Sequence, residues 1–436
     1  MERPDTGQIT QPSQDSVSWW AKIRGRTRKN NAQTEFDGVD EKDPKTLQNY
    51  VPDSKAGDEK EEEDDDDDDE YPDGGLKAWL VVLGGLLNTF SAFGFISSWG
   101  IFQAYYQHTI LKDESPANIA WIASIQYALV LLPNILVGRL FDLGYFRSIL
   151  VTSSIALVVA TLLVAECKVY WQFLLCQGFA VGLACGGVFG PTTAVIAHWF
   201  KKRRGVAMAF IAMGSSFGGS LFPIAAKYLI PEVGFKWTMR IIAFILIFTL
   251  SISNLIMERR LPPKNLPGGL LNLAAFRSPA YTIYCMSAFV ALLGLYTVQT
   301  YIAVAATDVP GLSGTLSFYL VSISNASGLL GRYASGVICD RYGPINTMVP
   351  STILAATVTF IWPYVRTAHG LVGIAVVYGL CTGADISLMP IPLMNMGDTK
   401  DVGRRVGIHQ SVGRVQGRWV VCGLDGFIRN GDDGCG

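Results

Sequence analysis

Ten stretches of this chain are long and apolar enough to cross a bilayer, and they follow one another with only short breaks. A hydrocarbon layer of about 30 Å is spanned by roughly 20 apolar residues in a helix. Such stretches run over 77–102, 119–140, 148–166, 171–198, 205–229, 238–257, 281–305, 314–338, 345–365 and 371–394. Segments in lipid must satisfy their own backbone groups, so the sequence predicts an all-α polytopic membrane protein. Glycine and proline inside the stretches, as at Gly186, Gly187, Pro223 and Pro390, fit membrane helices whose neighbours compensate the backbone. The small-residue clusters at 182–190 and 214–220 let helices approach closely.

Charge divides the chain sharply. The 36 acidic and 35 basic residues give a net charge of -1. Residues 1–70 hold 21 acidic and 10 basic groups, so a tail of -11 precedes a body of +10. The tail lacks the apolar surface to order itself and reads as a disordered acidic cytosolic segment. Residues 71–257 read as an N-terminal six-helix bundle and 258–280 as a cytosolic central loop. Residues 281–407 read as an incomplete C-terminal bundle and 408–436 as an atypical non-spanning tail.

Alternate loops carry 14 Lys/Arg against 6 in the intervening ones, which predicts a cytoplasmic N-terminus. The eight cysteines form no CxxC pair and the four histidines have no metal-ligand spacing. With no Walker loop and no enzyme constellation, the sequence points to no cofactor, no metal and no catalysis. Its basic clusters are explained by topology, so no nucleic-acid partner is expected.

An internal repeat sharpens the architecture. Gly138-Arg139-Leu140-Phe141-Asp142 closes the second stretch, and Gly336-Val337-Ile338-Cys339-Asp340-Arg341-Tyr342-Gly343 closes the eighth. Two six-helix halves related by a parallel repeat form a recurrent transporter architecture. Within it, Gly138 and Gly336 allow close helix approach. Asp142 and Asp340, with Arg341, are candidates for gating, because a carboxylate can face a helix N-terminus or an arginine across the gap between halves.

The second copy resembles the loop signature of the major facilitator superfamily, Gly-x-Leu-x-Asp-Arg-x-Gly; the first departs from it after Asp142. Asp73-Gly74-Gly75-Leu76-Lys77-Ala78-Trp79 resembles the start of the first helix in monocarboxylate-porter-like members. Trp199-Phe200-Lys201-Lys202-Arg203-Arg204-Gly205 resembles their signature leading into the fifth. Ser98-Trp99-Gly100-Ile101-Phe102-Gln103 is similar to the fungal branch. The resemblance covers about 73–407. It implies a two-bundle fold in which about ten of twelve spans are present. Residues 408–436 contain only the six-residue apolar run Trp419–Leu424, so the last two helices are expected to be missing, through a truncated or mis-spliced end.

The animal lactate carriers have a lysine in the first helix, absent here from Phe93–Gln103. Their eighth helix pairs an arginine with an aspartate four residues earlier; here Arg332 is present and that position is Gly328. Arg332 either binds an organic anion in a central cavity, snorkels to the interface or pairs with Asp340. Asn88, Gln103 and Asn325 are further substrate-binding candidates among the polar residues of the spans, which also include Gln126, Asn134, Gln177 and Gln299. Asp385, inside the tenth stretch, is the candidate for proton coupling. The resemblance implies a secondary transporter of a small organic anion or metabolite, working by alternating access in the plasma membrane. Export of a fungal secondary metabolite and uptake of a monocarboxylate both remain open, and a non-transporting nutrient sensor is a third reading.

Overall fold

The structure, a computed structural model, describes residues 71–262, 276–295, 298, 314–365, 367–396 and 402–415. The acidic tail, Gln299 and the run Trp419–Leu424 lie outside the described residues. Among those described, all regular structure is helical. Helix α1 is Gly75–Ile110, α2 Pro116–Asp142, α3 Phe146–Val164 and α4 Tyr170–Ile196. The long helix Arg204–Ile256 breaks at Gly234, whose φ of 79° and ψ of 163° are not helical, giving α5 (204–233) and α6 (235–256). Then come α7 Pro279–Leu295, α8 Gly314–Tyr342, α9 Pro344–Tyr364, α10 Ala368–Asn395 and α11 Val402–Val415. Helices α1 to α6 and α8 to α10 coincide with their predicted stretches, and α7 with the first part of 281–305, whose residues 296, 297 and 299–305 lie outside the described residues. The helix α11 continues through Gly407, where the sequence had suggested a change of character.

Local sequence fixes several helix starts. Ser115 accepts the Asn118 N–H at 3.2 Å and Pro116 takes the first position of α2. Thr367 accepts the Gly370 N–H at 3.2 Å at the start of α10. Gly343, with φ 88°, turns the chain between α8 and Pro344. Wide π-helical turns interrupt α1 at Phe90–Gly94 and Tyr106–Ile110, and α4 at Leu174–Val181.

The N-terminal half packs α1 against α5, with Phe95, Phe102, Tyr106, Phe173, Phe222 and Phe235 forming a continuous aromatic core. In the C-terminal half α8 packs along α10. The largest contacts between the halves are α5 with α8 and α2 with α11, and α5 also meets α10 and α4 meets α11. Apolar side chains also point outward: Leu255 is 76% and Phe360 78% exposed. A water-soluble surface would be penalised by such side chains, whereas lipid solvates them. The chain is a multi-pass membrane protein.

Candidate functional site

Two equivalent contacts hold the halves together at one end. Asp340, in the last turn of α8, accepts the N–H groups of Gly205 at 2.6 Å and Val206 at 3.0 Å, in the first turn of α5. Asp142, in the last turn of α2, accepts those of Gly403 at 3.1 Å and Arg404 at 3.0 Å, in the first turn of α11. The Arg404 Nε also lies 3.8 Å from the Asp142 carboxylate. Each carboxylate thus meets unsatisfied donors at the positive end of a helix dipole. Glycines permit the approach: a Cβ at Gly336 would lie 2.8 Å from the Gly205 oxygen and 2.7 Å from the Ala209 Cβ. At Gly138 a Cβ would strike the Gly403 carbonyl. Arg341 is exposed at the end of α8.

The start of α5 is gripped a second time, from its own half. Asp73, at a positive φ of 42°, accepts N–H groups from Lys201 at 2.6 Å, Lys202 at 2.8 Å and Arg203 at 3.3 Å. Its own N–H donates to the Trp199 oxygen at 3.2 Å. A non-glycine residue in this region persists only when its surroundings fix it, and four hydrogen bonds do so here. Gly75, with φ 83°, follows Gly74 at the start of α1. The Trp79 ring meets Phe200 edge-on at 5.6 Å, and Trp199 Nε1 donates to the Glu258 oxygen at 2.9 Å. Arg204 is buried and donates to Asn395 Oδ1 of α10 at 2.6 Å and to the Phe200 oxygen at 2.5 Å. The two signature stretches therefore form one assembly.

Between the halves lies a cavity of ≈ 170 Å³, with walls from α1 (Thr89, Phe93, Ser97), α2 (Tyr127, Leu131), α4 (Phe189, Thr193) and α5 (Met208, Ile211, Ala212, Ser215, Ser216). The other half contributes Asn325 and Arg332 of α8, Ile386, Ser387, Met389 and Pro390 of α10, and Val406 of α11. Arg332 is 8% exposed and carries the only formal charge among these lining residues. Its Nη1 donates to the Ala212 oxygen at 2.8 Å and to Ser216 Oγ. It neither snorkels nor pairs with Asp340, which bonds to α5 instead. A guanidinium among aromatic and aliphatic walls can hold an anionic group on a largely apolar body.

Asn325 is among the residues lining the cavity; Asn88 and Gln103 are not. Asn88 is buried between helices, donating to Thr192 Oγ1 at 2.9 Å and Met257 Sδ at 3.0 Å. Gln103 accepts from Trp99 Nε1 of its own helix at 2.7 Å. Both satisfy packing needs rather than facing the cavity. The sequence reading missed Ser216 and the aromatic walls Phe93 and Phe189. A signal for the first wall existed: Thr89, Phe93 and Ser97 recur every four residues on one face of α1. Asp385 is outside the cavity wall, bonded to Ser351 of α9.

Gly328 marks the strongest departure from the lactate carriers, and it lies where α8 packs on α10. A Cβ there would lie 3.3 Å from the Gly379 oxygen of α10, and one at Gly383 would strike the Gly328 carbonyl. A side chain at 328 would require the Gly379 carbonyl to give by a few tenths of an ångström.

The sequence model of the Major Facilitator Superfamily matches residues 81–415, continuing beyond Gly407. The MFS-type transporter 1 of Ophiocordyceps sp. (strain BCC 1869) is 36% identical over 347 residues, covering 79% of this chain and 77% of that one. The Fujikurins efflux protein of Gibberella fujikuroi is 36% identical over 346 residues, covering 77% and 73%. The crystal structure of the E. coli fucose:proton symporter FucP aligns with a TM-score of 0.62 over 80% of this chain and 92% of that one. At 13% identity that likeness speaks to the fold. The chain belongs to the major facilitator superfamily of membrane transporters.

Proposed function

We propose that the chain exports an amphipathic organic anion of the secondary-metabolite type, by alternating access across the plasma membrane with its N-terminus in the cytoplasm. The observation that carries this reading is the cavity between the halves, where Arg332 is surrounded by Phe93, Phe189, Tyr127 and Ile386. One fixed cation suits one acidic group, and the apolar walls suit a body larger and less polar than lactate. The name of the Fujikurins efflux protein supports the direction. The monocarboxylate-porter-like signatures at 73–79 and 199–205 support an acidic substrate. Asp142 and Asp340 act in this reading as latches of the cytoplasmic side, released when that side opens.

Everted membrane vesicles carrying the chain test the proposal. They are incubated with the acidic metabolites extracted from cultures of the source organism, and vesicle contents are read by mass spectrometry. The expected result is accumulation of one or a few apolar acids, lost in Arg332→Gln. Equal contents in vesicles with and without the protein would overturn it, and accumulation only in right-side-out vesicles would make it an uptake permease.

A further inference from the structure

We infer that Asp385 is a proton-binding site of the C-terminal half, placed behind the cavity wall and held by Ser351. This deepens the transport reading by naming the ion that the C-terminal half carries, although proton binding itself does not depend on transport.

Asp385 is 2% exposed in the middle of a membrane helix. A carboxylate removed from water is costly unless it is paired, hydrogen-bonded or neutralised. Here Oδ1 meets the Ser351 hydroxyl, and Oδ2 has no partner among the described residues. The single Ser351 proton is also within reach of the Met348 oxygen at 2.8 Å. With an ionised carboxylate, that proton can serve Oδ1 while the Met348 oxygen keeps the Thr352 hydroxyl at 2.9 Å, but Oδ2 is left without a donor in an apolar interior. Adding one proton to Asp385 removes that cost: the acid O–H can donate to Ser351 Oγ, and Ser351 to the Met348 oxygen. No charge then remains in the apolar interior.

Among the described residues, the surroundings provide no competing counter-charge. Helix α9 carries no ionisable residue along Pro344–Ile361. From α7 the titratable neighbour is Tyr284, whose hydroxyl donates to the Met389 oxygen at 2.7 Å, and on α10 itself it is Cys381, one turn away. Helix α8 brings Arg332 and Asp340, both bonded to α5, and α5 brings Arg204, bonded to Asn395 at the far end of α10. Ile386 and Ser387, the next two residues of α10, line the cavity. Protonation on one face of this turn thus bears directly on the wall that the substrate would touch.

Infrared difference spectroscopy on the purified full chain in lipid tests this without a substrate. Spectra of the wild type, Asp385→Asn and Ser351→Ala are recorded against pH, in choline chloride and in sodium chloride. We expect a protonated-carboxyl carbonyl band at neutral pH in the wild type, absent in Asp385→Asn and shifted but retained in Ser351→Ala. Identical spectra for the wild type and Asp385→Asn, or a band unmoved in Ser351→Ala, would overturn the assignment. Loss of the band in sodium chloride would replace the proton by a metal cation and overturn it as well. A correct band in a protein whose vesicles accumulate nothing would leave the proton site standing and remove the export reading alone.

Discussion

Asp142 and Asp340 make the same contact 198 residues apart, and their partners Gly403 and Gly205 are separated by the same 198 positions. Each half supplies one carboxylate and one helix start, so the two bonds are related by the internal repeat. A contact repeated in this way has a geometric origin in the fold and not in the chance placement of one side chain.

Replacing Asp340 by Asn keeps size and removes charge. The contact with α5 should weaken by about 1–2 kcal/mol. Cys339, 4% exposed beneath the start of α5, is a native reporter. Its maleimide labelling, followed by mass spectrometry of the modified peptide, should accelerate by roughly tenfold. Unchanged labelling would reduce Asp340 to a cap of its own loop.

Arg332 and Ser216 should respond in opposite directions. Arg332→Lys keeps charge but loses the planar fork, and Arg332→Gln loses both, so anion binding should weaken in that order. The Gln variant should lose about 2–5 kcal/mol. Ser216→Ala removes a partner that an anion must displace, so binding should tighten by about 0.5–1.5 kcal/mol. Titration with a transported acid measures all three, and weaker binding in Ser216→Ala would mean that the serine touches the ligand itself.

At Asp73, backbone conformation and capping can be separated. Asp73→Ala loses the acceptor for three N–H groups and places alanine at φ 42°, and should cost at least the 0.5–2 kcal/mol typical of a lost cap, about. Asp73→Gly tolerates the dihedral and should fall between Ala and wild type, while Asn should be mildest. Thermal unfolding in detergent gives the order. Equal losses for Gly and Ala would assign the whole effect to the hydrogen bonds.

His198, in the α4–α5 connection beyond the last turn of α4, gives the chain an acid sensitivity. Burial, then the positive charges of Arg259, Arg204 and Arg260, push its imidazole down to about 3 from the usual 6.5. Below pH 6.5 the unfolded chain takes up a proton that the folded one refuses, so stability is complete above that pH and falls as pH drops towards 3. The loss grows by at most about 1.4 kcal/mol per pH unit. His198→Gln should flatten this part of the stability profile between pH 6.5 and 4.5, approximately. A profile identical to the wild type would show that other groups dominate.

The spans were legible because apolar length is a property of sequence alone; even α8, the most polar of them, was marked by its repeat motif. Asp142 and Asp340 were legible because a carboxylate at a helix end has few possible partners, and both a helix start and an arginine were found. Polar residues inside spans were not. Asn88 and Asn325 are the same residue type in similarly apolar surroundings, and only the rotation of each helix sends one into a packing seam and the other to the cavity. Ser216 was hidden because hydroxyls are common in helix packing. The break at Gly234 follows Pro231 in the interval between the fifth and sixth predicted stretches, and its exact position depends on a single dihedral.

The double grip on α5 has a consequence for the cost of motion. Asp73 belongs to the same half as α5, whereas Asp340 belongs to the other. When the halves part in the gating proposed above, Asp340 leaves, but the N–H groups of Lys201, Lys202 and Arg203 keep their anion. The start of α5 is therefore never stripped of negative charge, and a bare helix end is not added to the barrier. Asp73 serves as a resident counter-ion that makes the departing one expendable.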